Sequence, residues 1–294
     1  MKLHSIVLAC AALNITNAIA FNCTGLTVTA VTAVYSPTVA GDNISTGSYS
    51  FTCTREPGDA AVLSYSLAAD NGLYPGGGSN RARRIPTNAA ERYQYELYKS
   101  SPYVPANRWQ AQVTPSLRFT GTINFGAVGS SVTVGPLPFI LRVPGSQTVD
   151  PAGTYNDTII VTLREGNTTF IASTNFNVAI ITTNSCQISS PPDTVNFNYT
   201  SFQTTAATAT TNFDARCTTA LPYDVKVSTP TGPVLGLTYT LSVSPSSVSD
   251  MKSATGTGLP QNHIIYGSIP ANQSGVCATS TCTDTAAQTI TISY

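Results

Sequence analysis

The sequence predicts an all-β protein built as two β-sandwich domains in tandem. Short alternating runs, LTVTAVTAVY (26–35), RYQYELY (92–98), NVAIITT (177–183) and TITISY (289–294), are separated by turn-rich stretches such as YPGGGSN (74–80) and STPTGP (228–233). Beyond the first twenty residues no segment carries apolar residues at helical spacing. The 294 residues suffice for two domains of about 100 to 200 residues each. The same features also recur, in the same order, in both halves of the chain.

The first element is a leader. MKLHSIVLACAALNITNAIA (1–20) has Lys2 as a short basic start, an apolar run from Ile6 to Leu13, and Ala18 and Ala20 at the small-residue positions of a cleavage site. Phe21 is the expected mature N-terminus. No later apolar run reaches the roughly 18 residues that span a bilayer, so the mature chain is expected to be exported and soluble.

Of seven cysteines, loss of Cys10 with the leader leaves an even number, as suits an oxidising compartment. Cys23 and Cys53 are 30 residues apart, Cys186 and Cys217 are 31 apart, and Cys277 with Cys282 closes a small loop. Several pairings are open to these cysteines, but the repeated spacing favours one bridge of matching kind in each half. No cysteine has a partner at zinc-finger spacing, so no metal is expected.

The two halves keep step elsewhere. SYSFTCT (48–54) answers TNFDARCT (211–218), and ILRVPGSQ (140–147) answers IYGSIPANQ (265–273), with Pro144 and Gln147 each 126 residues ahead of Pro270 and Gln273. Each half closes on an Asp followed by an alternating strand, NDTIIVTL after Gly153 and Tyr155, and TDTAAQTITISY at 283–294. A duplicated domain accounts for this, with 21–166 and 167–294 as the two units and the boundary near Gly166 in REGNTT.

Charged residues make up 10% of the chain, with 14 basic and 14 acidic side chains, so nothing electrostatic points to nucleic acid. Enzymatic chemistry finds no support. His263 is the one histidine beyond the leader, there is no G-x-S-x-G elbow, and GGG at 76–78 lacks the Lys and Ser/Thr of a phosphate loop. No cofactor is expected.

The ordered series C…FTCT…RARR…YQYELY…NRW…LRVPGSQ…AGTYNDTIIVTL resembles the spore coat protein U domain, a family that includes pilins and tip adhesins of archaic chaperone/usher pili. In the first half the resemblance rests on Arg84, Tyr95, Leu97, Tyr98, Trp109, Gly153, Tyr155 and Asp157. In the second it rests on Cys186, Phe197, Cys217, Pro222, Tyr223, Tyr266, Gly267, Pro270, Gln273 and Asp284; Cys277 and Cys282 stand where the Gly-x-Tyr is missing. The resemblance implies immunoglobulin-like sandwiches, the second lacking a strand that a neighbouring subunit supplies. It also implies as partners a periplasmic pilus chaperone, an outer-membrane usher and the next pilin.

In TNFNVAIITTNSC (174–186) the residues Phe176, Val178 and Ile180 share one face of an extended chain; this donor-strand-like segment is expected to complete the first domain in cis, the alternative being an ordinary first strand of the second domain. Only Phe21 and Asn22 precede Cys23 in the mature chain, so the protein is expected to accept a strand without offering one, as a tip subunit would. Binding to abiotic or host surfaces, with biofilm formation, is then expected from loops of the first domain at 70–84, 98–109 and 127–139, through Tyr74, Tyr103, Val104, Leu137 and Phe139. Trp109 and Tyr98 are expected in the core. Arg81, Arg83 and Arg84 form a small basic cluster expected to be solvated.

Overall fold

The computed structural model describes residues 21–36, 41–74, 83–88, 91–110, 115–147, 151–244 and 251–294; the leader (1–20) and Arg81 lie outside them. Ten strands build the first sandwich: β1 (Asn22–Val28), β2 (Val31–Tyr35), β3 (Asn43–Thr54), β4 (Val62–Ala69), β5 (Arg83–Asn88), β6 (Glu91–Tyr98), β7 (Phe119–Asn124), β8 (Ser131–Val143), β9 (Gly153–Glu165) and β10 (Thr169–Thr182). They form two five-stranded sheets, β1-β3-β8-β6-β5 and β2-β10-β9-β4-β7. Alternation decides which side chains meet between the sheets. In β2 Val31, Ala33 and Tyr35 are buried while Thr32 and Val34 face outward, and β9 turns Tyr155, Asp157, Ile159, Val161 and Leu163 inward.

Trp109 sits at the centre of this core, fully buried, with its indole N–H donating to the Leu67 carbonyl at 2.9 Å. Phe119, Phe139 and Phe176 surround it with ring centroids 5.1, 5.1 and 6.2 Å away. Phe176 comes from β10, as do the buried Val178 and Ile180. β10 runs antiparallel to β9 from Thr169↔Glu165 to Thr182↔Gly153, and parallel to β2 from Val178↔Val31 to Thr182↔Tyr35. The first sandwich therefore extends to Thr182. Gly166, near which the boundary was expected, lies at φ 55° in the tight turn between β9 and β10, so the segment that follows it pairs within the first sandwich.

The second sandwich comprises β11 (Cys186–Ser190), β12 (Ala207–Cys217), β13 (Pro222–Val227), β14 (Thr231–Val234), β15 (Leu237–Ser242), β16 (Met251–Thr255), β17 (Pro260–Ile269) and β18 (Ile290–Ser293). Its larger sheet, β11-β12-β17-β15-β14, repeats the order β1-β3-β8-β6-β5 strand for strand. Its smaller sheet, β16-β13-β18, repeats only β7-β4-β9. Counterparts of β10 and β2 are absent from it among the described residues.

The duplication extends to single hydrogen bonds. The Gln147 side chain accepts from Gln94 N–H at 2.6 Å and donates to the Gln94 and Pro144 carbonyls at 2.9 Å, while its own N–H donates to Tyr35 Oη. Gln273 does the same with Thr238 N–H, the Thr238 and Pro270 carbonyls, and Tyr199 Oη. Each glutamine amide thus pairs with both backbone groups of one residue, as a strand would.

Disulfides join Cys23 to Cys53, Cys186 to Cys217 and Cys277 to Cys282. The first two cross paired strands at one end of each sandwich. The two units meet end to end: Arg216 beside Cys217 donates to the Gln147 carbonyl at 3.0 Å, and Thr218 exchanges hydrogen bonds with Ser185 of the connection. The cystine end of the second sandwich thus faces the glutamine end of the first.

Candidate functional site

The site is the open edge of the smaller sheet. In the first sandwich β4 pairs with β9 through Leu67↔Leu163 and Ala69↔Val161; in the second β13 pairs with β18 through Val225↔Ile292 and Val227↔Ile290. Ile292 and Ile290 therefore occupy the places of Leu163 and Val161. The latter two are fully buried with β10 paired alongside, whereas Ile290 and Ile292 are only half-buried. By the same register Gln288 stands where Ile159 does, and its side-chain N–H donates to Tyr239 Oη at 2.6 Å.

The far wall of the site is a segment with strand pattern and no ladder. Val195, Phe197 and Tyr199 correspond to Val31, Ala33 and Tyr35, each 164 residues on, as the shared tyrosine–glutamine bond shows. They are half-buried and alternate with exposed Thr194, Asn196, Asn198 and Thr200, yet no strand among the described residues pairs with them. A size exchange accompanies this. Leu141 in β8 faces the core of the first sandwich, where its counterpart in β17 is Gly267, and a side chain built on Gly267 would collide with Phe197 and Val195. Phe197 lies over a glycine in a space that a leucine fills in the other copy.

By correspondence with β2-β10-β9, 195–199 and β18 flank the place that β10 fills in the first sandwich, and both present half-buried apolar side chains with no strand pairing between them among the described residues. Such a place takes an extended peptide, whose backbone completes both ladders and whose alternate side chains fill the groove. β10 shows the result in cis. Burying Phe176, Val178 and Ile180 contributes roughly 5 to 9 kcal/mol, at about 1.5 to 3 kcal/mol each, before ordering costs.

His263 lies in the core under this sheet. It is buried, its Nε2 is 2.9 Å from Tyr223 Oη, and its ring stacks on Phe213. Burial holds its imidazole below the usual histidine pKa, Lys252 adds to this and Asp214 opposes it. Burial also pushes the Tyr223 hydroxyl up. Among the described residues no group of three or more His, Cys, Asp or Glu is placed to hold a metal.

The expected loop residues differ in burial. Phe139 is corrected outright: it is a core residue of β8, fully buried against Trp109 and Phe176. A bulge around Gly135 and Pro136, marked by Tyr49↔Leu137 beside Phe51↔Val134, resets the alternation so that Phe139, Leu141 and Val143 face inward. Tyr74 is half-buried with the Arg92 guanidinium 5.3 Å from its ring, next to Leu73, whose N–H bonds the buried carboxylate of Asp157. Tyr103 is half-buried, edge-on to buried Tyr98 at 5.3 Å and 5.9 Å from the Arg142 guanidinium. Val104 and Leu137 are 41% and 38% exposed.

Apolar residues not singled out from the sequence lie at the cystine end of the first sandwich, remote from the second: Val62 at the start of β4, Val128 in the β7–β8 turn and Phe170 at the start of β10, exposed by 49%, 51% and 55%. The turn is fastened by Arg55, whose guanidinium donates to the Gly126 carbonyl at 2.8 Å and whose carbonyl accepts from Gly129 N–H. No sequence pattern separates such residues from buried ones. The groove residues did carry a signal, the VNFNY alternation at 195–199 at a constant offset from VTAVY at 31–35.

A family model described as the Spore Coat Protein U domain matches residues 9–162. No curated protein sequence matches the chain. Among solved structures, the CsuC–CsuE chaperone–tip adhesion subunit pre-assembly complex from archaic chaperone-usher Csu pili of Acinetobacter baumannii contains a chain similar at 15% identity and TM-score 0.49, covering 92% of this chain and 99% of that one. The CupB6 tip adhesin from Pseudomonas aeruginosa is similar at 10% identity and TM-score 0.32, covering 87% and 90% respectively.

Proposed function

Because the chain belongs to the Spore Coat Protein U domain family, we propose that it is the tip adhesin subunit of an archaic chaperone/usher pilus, which accepts a strand from the next pilin and attaches to surfaces through its first domain. One observation carries this reading: β10 closes the first sandwich from within the chain, while the matching edge of the second, at β18, has no strand beside it among the described residues. Phe21, just ahead of Cys23, is held in its own sandwich, buried with its ring 5.6 Å from Phe125. A periplasmic chaperone would cover the groove before assembly, and an outer-membrane usher would exchange it for the pilin strand.

The test is co-expression of the full chain with a chaperone, usher and pilin of an archaic chaperone/usher system. A detergent-resistant complex with one pilin, located at fibre ends, is the expected result; the chain found along the fibre shaft would end the proposal. Attachment is assigned to exposed apolar side chains of the first domain, Val104 and Leu137 together with Val62, Val128 and Phe170. Replacing these with Ser in fibres of normal number should reduce attachment to plastic severalfold. Unchanged attachment would make the protein a structural pilin or coat subunit without a receptor.

A further inference from the structure

The junction between the two sandwiches is a pattern for a junction beyond the second. In cis, the segment ahead of Cys186 lies in the groove of the first sandwich and leaves it at Thr182, beside Gln147 and Tyr35. The cystine end of the following sandwich then abuts that same end through Arg216 and the Gln147 carbonyl. The groove of the second sandwich has the same polarity, because Gln273 and Tyr199 repeat Gln147 and Tyr35. A strand lying in it as β10 lies in the first leaves it beside Gln273.

That end of the second sandwich is apolar and held in place. Phe202, whose N–H bonds the Gln273 carbonyl, and Val276, three residues after Gln273, are 67% and 70% exposed, more than any other large apolar residue described. Phe202 sits at φ 61° with its N–H bonded to the Gln273 carbonyl, and Asn272 N–H bonds Gln203 O in the same turn. Val276 N–H donates to the Leu235 carbonyl at 2.6 Å, just ahead of the Cys277–Cys282 loop. A non-glycine residue in the left-handed region, fastened by backbone bonds on both sides, holds its side chain outward at a cost that solvent exposure alone does not repay.

We propose that Phe202 and Val276 form a docking face for the folded body of the strand-donating subunit, in addition to the groove that takes its strand. The inference rests on the strand-accepting reading above. The occupant is a sandwich presenting its cystine end, and this chain's own second sandwich shows what such an end offers: Arg216, which donates across the junction, and Leu259, which is 58% exposed. The two apolar residues rigidify the joint once the strand has been exchanged.

Hydrogen exchange on the full chain separates the two ideas. The probes are the whole pilin of an archaic chaperone/usher system and a synthetic peptide of that pilin's lead-in, ahead of its first cysteine. Both should protect 195–199 and 290–293; only the whole pilin should further slow exchange at 200–203 and 235–236, by tenfold or more. In the Phe202→Ser, Val276→Ser double variant the groove protection should persist and the extra protection vanish. Equal protection from peptide and pilin overturns the docking face and leaves strand acceptance standing. No protection of 195–199 by either probe removes the strand-accepting reading itself.

Discussion

Phe176→Ala tests whether β10 belongs energetically to the first sandwich. The ring is 4% exposed and packs between Trp109, at 6.2 Å and nearly parallel, and Phe139, at 5.4 Å. Truncating a buried Phe costs about 3 to 5 kcal/mol, the spread reflecting how far the cavity collapses. With a urea slope of about 2 kcal/mol/M, the unfolding midpoint of the first sandwich should fall by roughly 2 M. Trp109 makes the assay specific, because it is the chain's one tryptophan and is buried in that core. Its fluorescence therefore reports the first sandwich alone, and hydrogen exchange of β12 and β17 reports the second. The expected result is a large shift in the tryptophan transition with slow exchange in β12 and β17 unchanged. A tryptophan transition that moves by under about 0.5 M while β12 and β17 lose protection would assign β10 to the second sandwich and refute the reasoning.

His263 should make the second sandwich acid-sensitive. Its folded pKa lies below the unfolded value near 6.5, so lowering the pH through 6.5 protonates the unfolded chain first and stability falls until the folded pKa is reached. Unfolding midpoints between pH 7.5 and 5 should show that loss, and His263→Leu should flatten it. Gln147→Ala removes three hydrogen bonds at about 0.5 to 1.5 kcal/mol each; the expected total is about 2 to 4 kcal/mol, with faster exchange at Gln94 N–H, and an unchanged midpoint would show that water replaces the amide at no cost. Gly267→Leu should expel Phe197 from the core of the second sandwich, costing about 1 to 3 kcal/mol and raising proteolysis at 195–199. Replacing Cys186 and Cys217 with Ser should cost about 3 to 4 kcal/mol for a loop of this length, read as an earlier melting of the second sandwich alone.

Much of the architecture was legible because its causes are local. Period-two alternation marks β2, β6, β9 and β10, and the constant offset of Pro144 and Gln147 from Pro270 and Gln273 marks a duplication whose copies share a hydrogen-bond pattern. The shared face of Phe176, Val178 and Ile180 was equally plain from spacing alone, as was the core position of Trp109 from its family motif. A turn within a hairpin and a turn between domains have the same composition, so the residues around Gly166 carry no sign of which one they form. Phe139 misled because Gly135, Pro136 and Pro138 read as a loop, while one bulge keeps them in a strand and turns Phe139 inward.

The amino-acid order by itself determined the all-β class, the two copies and the strands each would form, since side-chain alternation and turn chemistry act within a few residues. The apolar face of Phe176, Val178 and Ile180 pointed to a completing strand, but its partners and register were decided only in three dimensions. β10 is claimed by β9 and β2, and so by pairings with residues up to 147 positions away, and Ile290 and Ile292 stay only half-buried beside a sheet edge with no further strand among the described residues. Burial and edge pairing are properties of what lies alongside, and local sequence carries no record of that.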